Sequence, residues 1–399
     1  MRFLAKQPTV QWMSLNRVYI AISAAMLVIS VVSLFTRGIN FGIDFAGGYE
    51  LQVKFDKKVE EEKVQKVVES LGLGDSRVQR YGDASANEFL VLVRQESALT
   101  EEQRTQLKHD IEALAGGETG VGNFSVAESG ENIIVGFTKP VTEEQLKGVL
   151  GKYALEVKRI NAGERVDRPE YVVELISVAD KVQGALVKAF EIPADHQLVQ
   201  RTEFVGPQVG AQLRNQGILA VIYSMIFILF YIALRFDFFF APGAVITLVH
   251  DAVIIMGFFS VFQIEFNLPI VAAILTLMGY SLNDTIVIFD RVRENMVRLR
   301  GRDLKALVDT SINETLARTL ITSFATLAVV LAILIFGGTV TRDFALCMTV
   351  GIVLGSYSTI AVSAPLYVLF RQYVRGSAPS KKDAPSKSSV NGGQATASL

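Results

Sequence analysis

Long apolar runs alternate along this chain with stretches of short-period polarity, and the two patterns predict different surroundings. Crossing about 30 Å of hydrocarbon takes roughly 20 mostly apolar helical residues. Six windows meet that requirement: about 18–35, 217–234, 239–262, 268–289, 319–336 and 345–370. The first is read as an uncleaved anchor, because its apolar part is long for a signal peptide and no A-x-A site precedes Thr36-Arg37-Gly38. The stretch between the first two windows has a different rhythm. Glu50 to Phe55 alternates as a strand, whereas Val64, Val67, Val68 and Leu71 fall on one helical face.

That stretch also repeats. At an offset of 82 positions, Lys54-Phe55-Asp56-Lys57-Lys58-Val59 lies over Gly136-Phe137-Thr138-Lys139-Pro140-Val141, and Glu88-Phe89-Leu90-Val91 lies over Glu170-Tyr171-Val172-Val173. Each copy reads strand, helix, strand, strand, helix, strand, the split-βαβ or ferredoxin-like plan. Thr100-Glu101-Glu102-Gln103 carries a capping-box pattern at one predicted helix start. The fold class expected is an α-helical polytopic membrane protein with six transmembrane helices and an α+β extracytoplasmic insert of two tandem ferredoxin-like (βαββαβ) units. An open sheet can take an extended peptide at its edge or serve as a docking module.

Positive charge orients the spans. Arg2, Lys6 and Arg17 precede the first, Arg235 follows the second, Arg371 and Arg375 follow the last, and the 290–317 stretch holds Arg291, Arg293, Arg298, Arg300, Arg302 and Lys305. Segment 263–267 has no Lys or Arg, and 337–343 has only Arg342. Both termini therefore face the cytoplasm, and the insert faces outward. The expected organisation is a cytoplasmic N-terminus (1–17), a first span (18–36), two outer units (37–129 and 130–205), a bundle of five further spans (206–370) with a cytoplasmic loop (290–317), and a disordered tail (371–399).

Composition refines this picture. Half of the 399 residues are hydrophobic and mean hydropathy is +0.35, as a bundle joined to a soluble domain requires. The net charge of −1 gives no case for nucleic acid. One cysteine, Cys347, and three scattered histidines supply no disulfide framework and no metal-ligand spacing. There is no G-x-x-x-x-G-K-[ST], G-x-S-x-G or H-E-x-x-H. Nucleotide hydrolysis and hydrolase chemistry are thus not expected, and no cofactor is implied.

Ionisable residues inside spans are costly and mark functional sites. Asp251 lies near the middle of the third span, Asp284 in the inner half of the fourth, and Arg318 at the inner entrance of the fifth. At 1.5 Å per residue Asp284 is roughly 8 Å above the inner end of its span, within reach of an upturned Arg318. Such a pair is either a proton-loading site or a static ion pair between helices. His250, Asn283 and Thr322 are supporting polar candidates. His250 either passes a proton to Asp251 or is a hydrogen-bonded packing residue. Thr322, Ser323 and Thr326 can line a polar path. Gly351, Gly355, Ser356 and Ser358 read as small packing residues. Gly42, Gly47 and Gly48 allow positive φ where the chain leaves the bilayer, and Asp44 can bond local amides in that turn.

The motifs at these positions resemble the SecF family of the bacterial protein-export machinery. Gly42-Ile43-Asp44-Phe45-Ala46-Gly47-Gly48 is similar to its G-I-D-F-x-G-G signature, and Val205-Gly206-Pro207 to its V-G-P motif. Residues 279–295, GYSLNDTIVIFDRVREN, resemble the fourth-span signature, and Arg318-Thr319-Leu320-Ile321-Thr322-Ser323 the fifth. The resemblance implies a half bundle of the RND transporter type in the bacterial cytoplasmic membrane. It implies pairing with SecD, association with the SecYEG channel and YajC, contact with membrane lipids and with the translocating unfolded polypeptide, and use of the proton-motive force to complete export. It also implies that Asp284 and Arg318, and less strongly Asp251, match positions linked to proton passage. The doubled insert departs from the usual single small domain. Two other readings share the intramembrane acids: half of an RND-like exporter of small molecules or lipids, and a non-transporting scaffold.

Overall fold

The computed structural model describes residues 9–81, 86–94, 99–153, 155–163, 169–193, 195–235 and 240–376. Most of the tail expected to be disordered, 377–399, lies outside the described residues.

The chain begins with a short 3₁₀ turn (Trp12–Leu15) and α1 (Asn16–Thr36). A single turn of helix, α2 (Ile43–Ala46), leads into β1 (Gly48–Lys54), α3 (Glu61–Glu69), β2 (Asp75–Tyr81) and β3 (Glu88–Arg94). Next come α4 (Glu101–Leu114), β4 (Val121–Val126), β5 (Asn132–Phe137), α5 (Glu143–Gly151), β6 (Val157–Ala162) and β7 (Glu170–Leu175). The insert ends with α6 (Val178–Ala189) and β8 (Val199–Val205). The bundle follows as α7 (Pro207–Arg235), α8 (Ala241–Phe262), α9 (Leu268–Arg298), α10 (Leu304–Phe336) and α11 (Thr339–Ser358). A π-helical segment (Thr359–Ser363) joins α11 to α12 (Ala364–Gly376).

The repeat is visible in the elements. α3 and α5 begin at Glu61 and Glu143, β2 and β6 at Asp75 and Val157, and β3 and β7 at Glu88 and Glu170, each pair 82 positions apart. Capping boxes start α4 at Thr100, α5 at Thr142 and α6 at Ser177. The two sheets, however, are not made from contiguous halves. Their strand orders are β2-β3-β1-β8 and β4-β5-β7-β6, antiparallel throughout. The last helix and strand of each repeat have changed places. α6 and β8 complete the first sheet, where Val182, Leu186 and Leu198 share a core with Leu51 and Val91. α4 and β4 complete the second, where Leu107 and Ile111 pack with Ile133 and Leu146. The second sheet and its helices thus occupy one continuous stretch inserted between β3 and α6, and a boundary at 129/130 does not separate the sheets.

Among the described residues six helices are long and apolar enough to cross a membrane: Trp12–Thr36, Pro207–Arg235, Ala241–Phe262, Leu268–Arg298, Leu304–Phe336 and Thr341–Tyr373. α8, α9 and α11–α12 form the centre, and α1, α7 and α10 lie outside them. The residues α1 buries are all serines: Ser23, Ser30 and Ser33. Ser30 packs on Gly257 of α8, and Ser33 bonds Ser260 at 2.8 Å. Small residues bring backbones close where lipid supplies no hydrophobic drive between helices. Gly351 and Gly355 do the same against Leu277 and Ser281 of α9.

The expected cytoplasmic loop is shorter than its sequence suggested. α9 continues to Arg298 and α10 starts at Leu304, which leaves only 299–303 between them. The basic run is helical, and Arg291 (at 2.5 Å) and Arg298 converge on Glu314. Asn295 adds bonds to Ser311 and Glu314, at 2.9 and 2.8 Å. The segment before α1 is strapped to the same helix: Trp12 donates to Asn313 at 3.0 Å, and the Met13 amide to Asp309 at 2.8 Å.

Two expectations follow. Replacing 99–176 with a short Gly-Ser linker leaves the first sheet complete, so the shortened protein stays membrane-inserted with a protease-resistant outer domain. Removing 130–200 takes away α6 and part of its core, and limited proteolysis should find that domain degraded. Separately, a methyl at Gly257 would stand 2.1 Å from Ser30 Cβ, whereas one at Gly279 meets nothing within 4 Å. Gly257→Ala is expected to destabilise the bundle by about 1–3 kcal/mol, read as a lower thermal midpoint in detergent, with Gly279→Ala unchanged.

Candidate functional site

The acids singled out above lie on α8 and α9, and the bundle encloses both. Asp251 is 6% exposed and has three side-chain hydrogen-bond partners. Ser281 of α9 donates to its Oδ2 at 3.0 Å, Ser358 donates to the same oxygen at 2.7 Å, and His250 Nδ1 stands 2.9 Å from Oδ1. His250 is itself buried, and its Nε2 has no partner among the described residues. Both readings of this histidine have a basis: it packs by a hydrogen bond, and that bond goes to the acid. Ser358 sits immediately before the π-helical Thr359–Ser363. A π segment is rare and adds a residue to one helical turn. Thr359, the first residue of that segment, is paired with Thr285 of α9 at 3.2 Å.

Asp284 has a sparser setting. It is 3% exposed. Its hydrogen bond among the described residues comes from Ser323 of α10 at 3.4 Å, and Ser323 accepts in turn from Ser356 of α11 at 2.9 Å. Arg318 acts on Asp284 through space, with no ion pair within 4.0 Å among the described residues. The expected contact is therefore not made in this arrangement. Arg318 lies five residues below Ser323, about 7.5 Å along the helix. It sits on the exposed side of α10, which also presents Leu320, Ile321 and Phe324.

The supporting candidates divide. Thr322 returns its hydroxyl to the carbonyls of Arg318 and Thr319, at 3.1 and 3.0 Å, so it serves its own helix. Asn283 is exposed, pointing away from the enclosed acids beside it. Ser323 is the member of its set that reaches an acid, donating to Asp284. Ser356 and Ser358, read as packing residues, are hydrogen-bonding members of the site. Ser281, Thr285 and Thr359 were missed. Spacing held a signal for the first: Ser281 precedes Asp284 by three and Thr285 by four, which puts all three on adjoining helical positions.

The glycine signature builds the joint between sheet and bundle. Gly47 and Gly48 have φ of 75° and 120°, a region only glycine enters freely. A methyl on Gly48 would stand 2.5 Å from the Val93 carbonyl oxygen, and one on Gly47 would stand 2.9 Å from Pro207 Cα. The glycine pair thus lets β1 leave the bilayer against the first turn of α7. Gly42 differs from expectation: its φ is −71°, and its neighbour is the Glu265 side chain, which would have to shift to admit a methyl there. Asp44 also differs. Its carboxylate accepts not from a local amide but from that of Leu268 at 2.9 Å, the first residue of α9. It therefore holds a helix N-terminus, where negative charge is favoured.

Comparisons with known proteins agree with this arrangement. Residues 186–373 match the model of the protein export membrane protein SecD/SecF, C-terminal, family, and residues 32–59 match that of the SecD/SecF GG motif. The chain is 36% identical over 347 residues to the protein translocase subunit SecF of Magnetococcus marinus, covering 87% of each. It is 35% identical over 365 residues to the same subunit of Vibrio alginolyticus, covering 92% of this chain and 91% of that one. Among solved structures it is similar to SecDF, a translocon-associated membrane protein from Thermus, with TM-score 0.63 and 28% identity. That likeness covers 93% of this chain and 40% of the Thermus protein, so the chain spans about two-fifths of that structure's length. Six spans, a glycine joint at the root of the first sheet and enclosed acids on the third and fourth spans accompany that likeness, and the chain belongs to the SecF family of protein translocase subunits.

Proposed function

We propose that this chain acts beside SecD as an auxiliary subunit of the Sec translocase and carries a proton path through Asp284. Its termini lie in the cytoplasm and its insert lies outside, as the Lys and Arg distribution supports. The SecYEG channel, YajC, membrane lipids and the translocating chain are its further partners by family. The relationship to SecF proteins does not favour a small-molecule exporter.

The observation that carries the reading is Asp284 itself. A carboxyl enclosed in an apolar bundle is costly and marks an ion path. Here it has one hydroxyl at 3.4 Å and a guanidinium near but not touching. The group therefore has two available settings. With Ser323 alone it is answered as a neutral acid, which needs only hydrogen bonds. With Arg318 closed upon it, the ionised form is compensated. A shift of α10 against α9 exchanges the settings and so loads or releases a proton. Asp251 is the second stop on the path. Ser281 bonds it from one turn before Asp284, about 4.5 Å along α9. Its three donors hold it in place, so it is the less mobile of the two. The exposed apolar side of α10 around Arg318 is the surface on which the partner subunit shapes the choice.

Asp284→Asn keeps the hydrogen bond and removes the titration. In inverted vesicles it is expected to co-purify with SecD as the parent does. Its export with a proton gradient should fall to the level measured without one. Arg318→Ala should do the same, and Arg318→Lys should retain part of the effect. Gradient-stimulated export by the Asn variant at the parental rate would overturn the assignment.

A further inference from the structure

The joint between the first sheet and the bundle holds acids that the relay does not use. The segment linking α8 to α9 meets the start of the insert in a short parallel bridge. Gly42 donates to the Phe266 carbonyl at 3.0 Å, and Phe266 to that of Asn40 at 2.7 Å. Glu265 lies on this segment, so near Gly42 that a methyl there would stand 2.5 Å from its Oε1. Its carboxyl has no hydrogen bond or ion pair among the described residues. It closes one side of a cavity of about 210 Å³ whose lining includes Arg77 of β2 and Arg94 of β3. That space is large enough to hold several waters, which gives protons a route to the carboxyl.

Acids outnumber bases around it. Arg77 and Arg94 attract Glu265, while Asp44 of α2, Asp343 of α11 and Glu50 of β1 oppose it. Arg94 is shared with Asp75 at 3.1 Å and the Phe41 carbonyl at 3.2 Å. Glu50 faces Glu265, Asp44 and, on β8, Glu203, with Arg201 as its attracting neighbour. These acids come from both sides of the joint: Glu50 and Glu203 from the sheet, Glu265 and Asp343 from the bundle.

We propose that Glu265 and Glu50 form a proton-binding site at this joint, and that protons held there keep the first sheet seated on the bundle. Burial first, then Asp343 and Asp44, raises Glu265 to about 7 against the pull of Arg77 and Arg94. Burial first, then Glu265, Glu203 and Asp44, raises Glu50 to about 7. Both values lie above the carboxylate's ordinary 4.5, so seating the sheet takes up protons. The seated joint is therefore fully favoured below about 4.5 and weakens as pH rises from there to about 7, by about tenfold per pH unit for each carboxyl that binds a proton on seating, and levels off above that. An acidic outer side tightens the joint. The carboxyls that titrate at the joint are distinct from Asp284, so the source of its pH response is tested separately from the relay.

The experiment is hydrogen exchange at the Gly42, Phe266 and Leu268 amides in the full chain with its partner subunit in lipid nanodiscs, corrected for intrinsic rates. Protection is expected to fall at least about tenfold between pH 6 and pH 8. The double variant Glu50→Gln, Glu265→Gln is expected to stay protected across that range, and Asp284→Asn to keep the parental pH response. Flat protection in the parent, or a parental slope in the double variant, overturns the proposal. If the double variant does not assemble, Glu265→Gln alone is examined by infrared difference spectroscopy. The protonated-carboxyl band gained on acidification should weaken in it, and an unchanged band overturns the proposal equally.

Discussion

Hydrocarbon offers no hydrogen bond, so a polar side chain in the bundle gains from a partner elsewhere in the chain, and most of those around the two acids have one. That constraint arranges the spans. α1 meets α8 closely through serines and a glycine, while most of its large apolar side chains face outward and Met26 and Leu27 pack on the core. The same constraint gathers Ser281, Ser358 and His250 around Asp251 and draws Ser323 toward Asp284. The two acids differ in how fully they are answered. A carboxyl with three donors resists displacement, because any movement strands several groups at once. A carboxyl with one long bond is free to change partners at small cost. This asymmetry, more than the presence of acids as such, separates the fixed member of the site from the movable one.

The outer domain is organised by a different economy. Each sheet needs a fourth strand and a second helix to cover its core, and the duplicated chain has two equivalent pairs available. The connection between β4 and β5 is short, spanning 127–131 with Gly130 at φ 74°, so β4 lies beside β5 as a hairpin. Once β4 is committed there, α6 and β8 are the elements left to close the first sheet. β8 then runs directly into α7 through Gly206 and Pro207. The first sheet is thereby tied to the membrane at both adjacent strands, β1 and β8, while the second hangs from it. Tyr49 joins the two near the root, its hydroxyl donating to the Ser129 carbonyl at 3.0 Å, and Lys158–Asp180 and Lys181–Glu156 ion pairs join them at α6.

Much of this was legible before any coordinates. Six apolar windows, the 82-residue offset and the capping box at Thr100 each reflect local chemistry that one stretch of sequence contains. The exchange of α4–β4 with α6–β8 was not read, because both pairs carry the same alternation and partner choice is tertiary; the short turn before β5 was the overlooked signal. Asp251 and Asp284 stood out because acids are rare in spans. Their donors did not, since a serine in a membrane helix reads equally as packing, and the π segment that follows Ser358 has no sequence signature. Asp44 was assigned to a local turn, but its partner, Leu268, is far along the chain. That Arg318 makes no ion pair with Asp284 among the described residues was not legible either, because the direction of a long side chain is set by the tertiary packing around it.

The joint and the proposed proton path are linked by the helices they share. Glu265 sits on the segment that connects α8, which carries Asp251, to α9, which carries Asp284. Asp44 holds the first amide of α9, and Asn267 donates to Asp343 at 3.0 Å at the start of the last span. A load on the first sheet is therefore delivered through α2 to the outer ends of the helices that enclose both acids. Helices are stiff along their axes, so a displacement at Leu268 reaches Asp284, sixteen residues and about 24 Å away, largely undiminished. Ser323 and Ser356 belong to α10 and α11, which α2 does not grip directly. Axial movement of α9 then changes the one hydrogen bond that Asp284 has, while the tighter set around Asp251 must move together or break. Mechanical coupling between the outer domain and the movable acid follows from this connectivity, whichever side starts the motion.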